Sequence, residues 1–155
     1  MLSKEEYLKT LDRKRSGSGA LILNEENKIL MLKPSYKDYY EIPGGVVEKN
    51  ESPLNCCKRE VFEEIGLKLN IEKLLVVEYQ QLKFDDSFMF LFYGGIIRSK
   101  EIKRKNLQKD EIVDYGFYTI EEIKEFTVER LYLRIKKGYD AIREGIIYYE
   151  TFSIA

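Results

Sequence analysis

The chain has 155 residues, of which 44% are hydrophobic and 34% charged, which is the size and composition of one globular domain. Its net charge of −1 argues against a nucleic-acid polymer as partner, because such partners need a basic surface. The absence of histidine excludes a Ser-His-Asp site, a Cys-His dyad and any zinc site that needs imidazole.

The amino-terminal segment predicts a short helix and a linker. Ser3 can cap a helix that runs to about Arg13, with Leu8 and Leu11 as its apolar anchors. The small residues 16–19 are then interpreted as a linker that delivers the chain into the first strand.

The next segment predicts a β-hairpin. Residues 20–23 and 29–33 are apolar runs of strand length, and residues 24–27 between them are typical of a turn. Residues 34–39 form a loop that leads to the glycine turn at 43–45.

A helix with a cap at each end is predicted from Pro53 to Ile65. Ser52 is a favourable N-cap, proline loses nothing at the first helical position, and Gly66 is a natural C-terminal cap. One side of this helix should face the core, since its apolar residues recur at helical spacing. Those residues are Leu54, Cys57, Val61 and Ile65.

Three carboxylates form a separate arc on the same helix. Glu60, Glu63 and Glu64 are neighbours on the helix surface, and Arg59 lies one turn from Glu63. Carboxylates this close repel one another unless a cation compensates them, and Mg²⁺ prefers oxygen ligands. The cluster therefore predicts a divalent metal site beside a glycine turn, which indicates phosphate chemistry. A solvated helix face is the alternative for an isolated E-x-x-E-E pattern.

The rest of the chain predicts three strands, a long helix and a β-like tail that pairs at a sheet edge or a dimer contact. Strands mixed with two substantial helices point to an α/β layered domain with a mixed β-sheet. The elements are 71–84, 87–98, 112–119, 128–143 and 146–152. We expect a single domain over 1–155, with 1–15 as a helical extension and 146–155 as the tail.

The two cysteines, Cys56 and Cys57, are adjacent on the predicted helix, where neighbouring side chains point in different directions. They cannot easily form a disulfide, which fits a reducing compartment. No stretch is long and apolar enough to span a bilayer, and the amino terminus lacks an apolar signal region. We therefore expect a cytoplasmic protein with no membrane partner.

The spacing around the acidic helix is more specific than the acidic residues alone. Nine positions from Gly45 to Leu67 match the Nudix box without a departure, so the chain resembles the Nudix hydrolases. Val61 and Leu67 fill the two aliphatic positions. The other seven are Gly45, Glu51, Arg59, Glu60, Glu63, Glu64 and Gly66.

The resemblance extends, less specifically, from about residue 18 to residue 126. Residues 40–45 look like the aromatic-x-hydrophobic-Pro-Gly-Gly segment of the family, and residues 110–123 resemble its late acidic loop, aromatic strand and short helix. The resemblance implies the Nudix-type α/β/α sandwich with a mixed β-sheet.

The resemblance also implies that Glu60, Glu63 and Glu64 hold the metal, with the Gly44 carbonyl as a further oxygen ligand. The cofactor would be Mg²⁺, with Mn²⁺ as an alternative, and it would neutralise phosphate charge, orient the diphosphate and lower the pKa of bound water. Four residues of the box would position these groups: Arg59, Glu51, Gly45 and Gly66.

The general base is left open between Glu60 and Glu111. Lys33 ends a strand where related proteins often carry a basic phosphate contact, and a surface lysine is the alternative. The nucleobase of a substrate could stack on Tyr40 or on another aromatic side chain, and the alternative for each candidate is packing in the core or against a strand. The other candidates are Tyr36, Tyr39 and Phe90.

The expected function is Mg²⁺-dependent hydrolysis of a diphosphate linkage in a nucleoside diphosphate derivative, a small-molecule partner. The substrate stays unassigned. The downstream proline of the ADP-ribose subfamily is missing, since no proline follows Pro53, and residues 83–85 lack the tyrosine of the dinucleoside-polyphosphate type. The alternative is a non-hydrolytic, nucleotide-sensing Nudix-like domain, which the intact box disfavours. Monomer and homodimer are both compatible with the sequence.

Overall fold

The computed structural model describes residues 1–154, which form a mixed sheet with helices on both sides. The strands are β1 (Arg15–Leu23), β2 (Ile29–Pro34), β3 (Gly44–Val46), β4 (Leu74–Gln81), β5 (Asp86–Ile96), β6 (Ile112–Tyr118) and β7 (Tyr148–Ser153). The helices are α1 (Lys4–Thr10), α2 (Pro53–Ile65), α3 (Ile120–Ile123) and α4 (Glu129–Glu144).

The sheet has the strand order β6-β2-β1-β5-β4-β7, and β3 pairs with β1 beside this path. The pairs β1–β5 and β4–β7 are parallel, whereas the other pairs are antiparallel. The predicted hairpin is confirmed, with Leu23 opposite Ile29. The predicted edge pairing of the tail is confirmed as well, because β7 lies along β4 at one edge of the sheet. The last residue of the tail, Ala155, lies outside the described residues.

Each face of the sheet is covered by one long helix. Successive strand residues point to opposite faces, so Ala20 and Ile22 pack towards α2 while Leu21 and Leu23 pack towards α4. The predicted α/β/α sandwich with a mixed sheet is therefore confirmed. Among residues 1–154 no helix is both long and apolar enough to cross a membrane.

Two expectations for the amino-terminal segment are wrong. Helix α1 ends at Thr10 instead of Arg13, and its expected anchors Leu8 and Leu11 are 47% and 45% exposed. A capping box between Ser3 and Glu6 holds the helix, so it depends on local hydrogen bonds and not on core packing.

The expected linker at 16–19 is also wrong, since these residues belong to β1. Small residues are needed there because other groups lie close against the strand. A Cβ at Gly17 would come within 2.8 Å of the Met89 sulfur, and one at Gly19 within 2.9 Å of the Pro43 carbonyl oxygen. The glycines therefore indicate close packing on a buried strand and not flexibility.

Candidate active site

The helix α2 forms as its caps predict. The Asn55 N–H donates to Ser52 Oγ at 3.1 Å, and Gly66 ends the helix in a left-handed conformation with φ of 73°. Cys57, Val61 and Ile65 are fully buried against the sheet, and Leu54 packs partly against the same cluster. Both cysteines are free and buried, and burial raises the pKa of each thiol to about 12.

Strand β3 presents the peptide group of Gly44 to this helix. The Ala20 N–H donates to the Pro43 carbonyl at 2.9 Å, so the next antiparallel pair, Gly19 and Gly44, exchanges no backbone hydrogen bonds. The peptide groups of Gly44 therefore point away from β1. Its N–H donates to Glu64 Oε1 at 3.3 Å, and its carbonyl, the predicted metal ligand, points towards the same open edge.

Gly45 leaves room for the carboxylate of Glu60. A Cβ at Gly45 would lie 2.8 Å from Glu60 Oε2, closer than side-chain carbons normally come to any atom. The lack of a side chain at Gly45 thus allows an acidic group of α2 to lie directly against β3.

Arg59 holds the acidic residues of the box together. Its Nε and Nη2 donate to the two oxygens of Glu51 at 2.8 and 3.0 Å, a bidentate pair. Its Nη1 donates to Glu60 Oε1 at 2.8 Å and to Glu63 Oε2 at 3.2 Å. The Arg59 guanidinium lowers the pKa of Glu51 to about 2, so this pair is charged at neutral pH. Arg59 thus links Glu51 to Glu60 and Glu63, and the positioning role expected for Arg59 and Glu51 stays a prediction.

Glu64 is the most buried member of the acidic cluster, with 7% of its surface exposed. Glu64 is covered because β3 lies across this end of α2. Burial raises the pKa of Glu64 to about 9, although the Gly44 N–H opposes the shift. Burial likewise raises the pKa of Glu60, against the effect of Arg59.

This donor set fits a divalent cation that prefers oxygen ligands. A buried carboxylate surrounded by acidic groups is unfavourable when charged, and a cation beside it would stabilise the charged form. Among residues 1–154, however, no three acidic side chains converge at metal-binding distances. Arg59 holds Glu60 and Glu63, whereas the Gly44 N–H holds Glu64. Binding a metal thus requires these carboxylates to move closer together.

Glu111 lies on the loop beside this cluster. The Gln108 N–H donates to the Glu64 carbonyl at 3.1 Å, which ties the loop to the end of α2. The Glu111 N–H in turn donates to the Gln108 carbonyl at 3.0 Å. The negative charge of Glu111 contributes to the raised pKa of both Glu60 and Glu64, after the larger effect of burial.

The structure does not bring Lys33 or Tyr40 to the cavity that adjoins the cluster. The Lys33 ammonium donates to the Lys37 carbonyl. The Tyr40 hydroxyl donates to Asp114 at 2.7 Å, and its ring packs edge-on against Phe126 at 4.9 Å. Tyr40 therefore packs in an aromatic cluster with Tyr118 and Phe126, and the substrate roles expected for Lys33 and Tyr40 remain predictions.

The cavity itself has a volume of about 260 Å³ and extends from β3 across the sheet to α4. Gly44, whose N–H donates to Glu64, and Gly45, which lies against the Glu60 carboxylate, line one end. Of the expected aromatic candidates, Tyr36 and Phe90 also line it. We call it the cationic cavity, after the four basic side chains in its lining: Arg15, Lys37, Arg130 and Arg134.

The sequence reasoning missed these basic residues. Arg134 lies on α4 between the buried residues Leu131 and Ile135, so it is a charged residue on an apolar face. Glu78 and Gln80 alternate on β4 at the two-residue spacing that marks one face of a strand, and both are buried. Charged residues at core positions were the signal that could have revealed this network, because a buried charged side chain needs a polar or oppositely charged partner.

A NUDIX domain family model matches residues 13–139. A putative 8-oxo-dGTP diphosphatase of Bacillus subtilis (strain 168) is 35% identical over 80 residues, covering 52% of either chain. An ADP-ribose pyrophosphatase of the same organism is 29% identical over 123 residues, covering 77% of this chain and 66% of that protein. The chain spans 52% to 66% of the length of three of the curated relatives that it matches.

The fold is likewise similar to solved structures. A MutT protein from Methanosarcina mazei Go1 superimposes with a TM-score of 0.69 at 24% identity, covering 88% of this chain and 99% of that chain.

Proposed function

Because the chain belongs to the Nudix family, we propose that it is a Mg²⁺-dependent hydrolase that cleaves a diphosphate linkage in a nucleoside diphosphate derivative. The observation that carries the proposal is the position of Glu64. Its buried carboxylate meets the open edge of β3 at Gly44, and Gly44 also lines the cationic cavity. A metal-binding carboxylate and a cation-lined cavity thus share one border, as hydrolysis of an anionic substrate requires.

Glu60, Glu63, Glu64 and the Gly44 carbonyl would hold the metal, with Mn²⁺ as an alternative to Mg²⁺. When bound, the metal supplies charge neutralisation at the phosphates and activation of the attacking water. Arg59 positions Glu60 and Glu63 from one side.

The cationic cavity would bind the rest of the substrate. Its basic side chains differ in their partners: Arg15 pairs with Asp85 at 3.0 Å, and Lys37 pairs with Glu41 at 2.5 Å. Among residues 1–154, Arg130 has no carboxylate partner and donates only to the Tyr39 hydroxyl at 3.3 Å. Arg130 is therefore the basic residue of the lining whose charge is most available to a phosphate.

Glu111 is the better placed of the two candidate bases. Glu60 shares its Oε1 with Arg59, whereas the Glu111 carboxylate makes no ion pair or hydrogen bond within residues 1–154. Glu111→Gln should lower kcat by about 10²-fold, the usual contribution of a positioned base, with little change in KM. An unchanged kcat would exclude Glu111 as the base.

The direct test of the proposed function is a panel of diphosphates incubated with Mg²⁺. It should contain nucleotide sugars, ADP-ribose, dinucleoside polyphosphates, and normal and oxidised nucleoside triphosphates, with release of phosphate, pyrophosphate or nucleotide as the readout. We expect turnover of at least one class. A folded, metal-loaded protein that cleaves no member would contradict the proposal.

A further inference from the structure

The end of the cationic cavity far from Gly44 is closed by a buried polar network on α4 and β4. Arg134 and Glu78 are 7% and 3% exposed, and their ion pair has a distance of 2.8 Å from Nη2 to Oε1. Nη2 also donates to Gln80 Oε1 at 3.3 Å, and Gln80 Nε2 donates to Ser87 Oγ at 3.1 Å. This network fixes the orientation of both the guanidinium and the amide.

The network leaves hydrogen-bond donors free on the cavity side. Nη1 of Arg134 makes no hydrogen bond within residues 1–154, yet none of the described side chains has a fully buried polar atom without a partner. Nη1 is therefore accessible, and Arg134 lines the cavity. Its two N–H groups have no partner among the described residues.

Acceptors are scarce at the same end of the cavity. Glu78, which balances the charge of Arg134, does not line the cavity, and Gln80 Oε1 already accepts from Arg134. Of the residues that the structure describes, Glu41 is the one carboxylate in the lining, and it already forms an ion pair with Lys37. A ligand at this end thus meets the hydrogen-bond donors of Arg134 and, beside them, apolar side chains such as Met89 and Leu131.

We propose that Arg134 selects the base of the substrate, and that the selected base is a purine with two adjacent acceptors, as guanine has at N7 and O6. The inference rests on the proposed function, since it places the base in the cavity that continues from the diphosphate site. A guanidinium paired with N7 and O6 is the commonest specific contact to guanine.

Adenine fits this end of the cavity poorly. Its N6 amino group is a donor beside N7 and would face the donors of Arg134, leaving a polar group on each side without a partner. Uracil presents one carbonyl beside an N–H, so it can accept only one of the two donors. Glu78 supports the preference for guanine, because its ion pair with Arg134 holds the guanidinium in the same orientation when the cavity is empty.

The test measures binding of GMP, AMP and UMP, by calorimetry without metal. These monophosphates have no diphosphate bond, so binding does not depend on hydrolysis. We expect GMP to bind about tenfold or more tighter than AMP, since a bidentate pair discriminates by roughly 5- to 150-fold. In the double variant Glu78→Leu/Arg134→Met, which replaces the buried pair by apolar side chains, this preference should fall to about twofold or less.

Two further variants make the result interpretable. Lys137→Met/Glu150→Leu makes the same chemical change in an ion pair of α4 and β7 that lies outside the cavity, and it should keep the preference. Glu78→Gln/Arg134→Gln replaces the ion pair by two neutral amides, and an amide at position 134 would pair with adenine N6 and N7. It should therefore lose the guanine preference even if the apolar double variant does not fold.

Equal binding of GMP and AMP by the wild type, or a guanine preference retained in Glu78→Gln/Arg134→Gln, would overturn the inference. The outcome is separable from that of the proposed function. Selective binding without any hydrolysis on the diphosphate panel would leave the base site standing and refute the enzyme. Hydrolysis without selectivity between guanine and adenine would support the enzyme and refute the base site.

Discussion

Replacing Glu64 by Gln should lower metal-dependent turnover by about 10³-fold or more while the protein stays folded. The charge stabilisation that a metal supplies to phosphoryl transfer is several kcal/mol, and each step of about 1.4 kcal/mol is a tenfold change in rate. The amide keeps the size of the carboxyl group and can still accept the Gly44 N–H, so the contact of α2 with β3 persists. The readout is turnover together with circular dichroism.

The same variant should be more stable than the wild type when metal is absent and the pH is high. The folded pKa of Glu64 is about 9, above its ordinary value of 4.5, because the carboxyl group is buried. The stability that the protonated group contributes is fully present below pH 4.5 and is lost as the pH rises to about 9. In this window Glu64 lowers the stability of the wild type by about 1.4 kcal/mol for each pH unit, a contribution that the Glu64→Gln variant lacks.

Thermal denaturation in EDTA at about pH 6 and about pH 9 measures this effect. Added Mg²⁺ should raise the Tm of the wild type at the higher pH, because a ligand that binds only the folded state stabilises it, and it should barely change that of Glu64→Gln. Glu125→Gln removes an exposed carboxylate elsewhere and is the matched control. An active Glu64→Gln enzyme, or equal responses of both proteins to Mg²⁺, would contradict the assignment of Glu64.

Gly45→Ala should reduce turnover by about 10²-fold with only a modest loss of stability. The new methyl group would overlap the Glu60 carboxylate, which is the flexible end of a side chain and can move away. A displacement of about 1 Å in a catalytic group is sufficient for a loss of this size. Turnover and urea denaturation should therefore respond very differently to this substitution.

Gly44→Ala provides the contrast, since its Cβ would lie 2.5 Å from the Ser18 carbonyl oxygen and 2.7 Å from Gly19 Cα. These are backbone atoms, so β3 must separate from β1, and we expect a loss of stability of about 1–3 kcal/mol. If Gly45→Ala acts through Glu60, adding it to Glu60→Ala should reduce turnover no further. A large additional loss in the double variant would show that Gly45 acts by another route.

The local parts of the site could be predicted from the sequence. The caps of α2 depend on Ser52, Pro53 and Gly66, whose effects need only a few neighbouring residues. The contact of Arg59 with Glu63 follows from their spacing on one helix, whereas the roles of Arg59 and Glu51 in positioning were implied by the family resemblance. Short-range hydrogen bonds and helical spacing therefore suffice for this much of the structure.

The parts that depend on distant segments could not be predicted in this way. The burial of Glu64 results from β3 lying across the end of α2, and sequence spacing alone gives no measure of that contact. The pairing of Arg134 with Glu78 joins residues of α4 and β4 that are far apart in the chain. The glycines of β1 were interpreted as a linker because the residues that pack against them, such as Met89, come from another strand.

The most direct test of the proposed metal-dependent hydrolysis is the dependence of wild-type turnover on divalent metal. A substrate that is cleaved on the diphosphate panel should be incubated with the protein in EDTA, and Mg²⁺ or Mn²⁺ then added in excess. We predict no measurable cleavage in EDTA and full recovery on addition of either metal. Cleavage at an equal rate in EDTA would contradict the proposal that the carboxylates of α2 act by holding a metal.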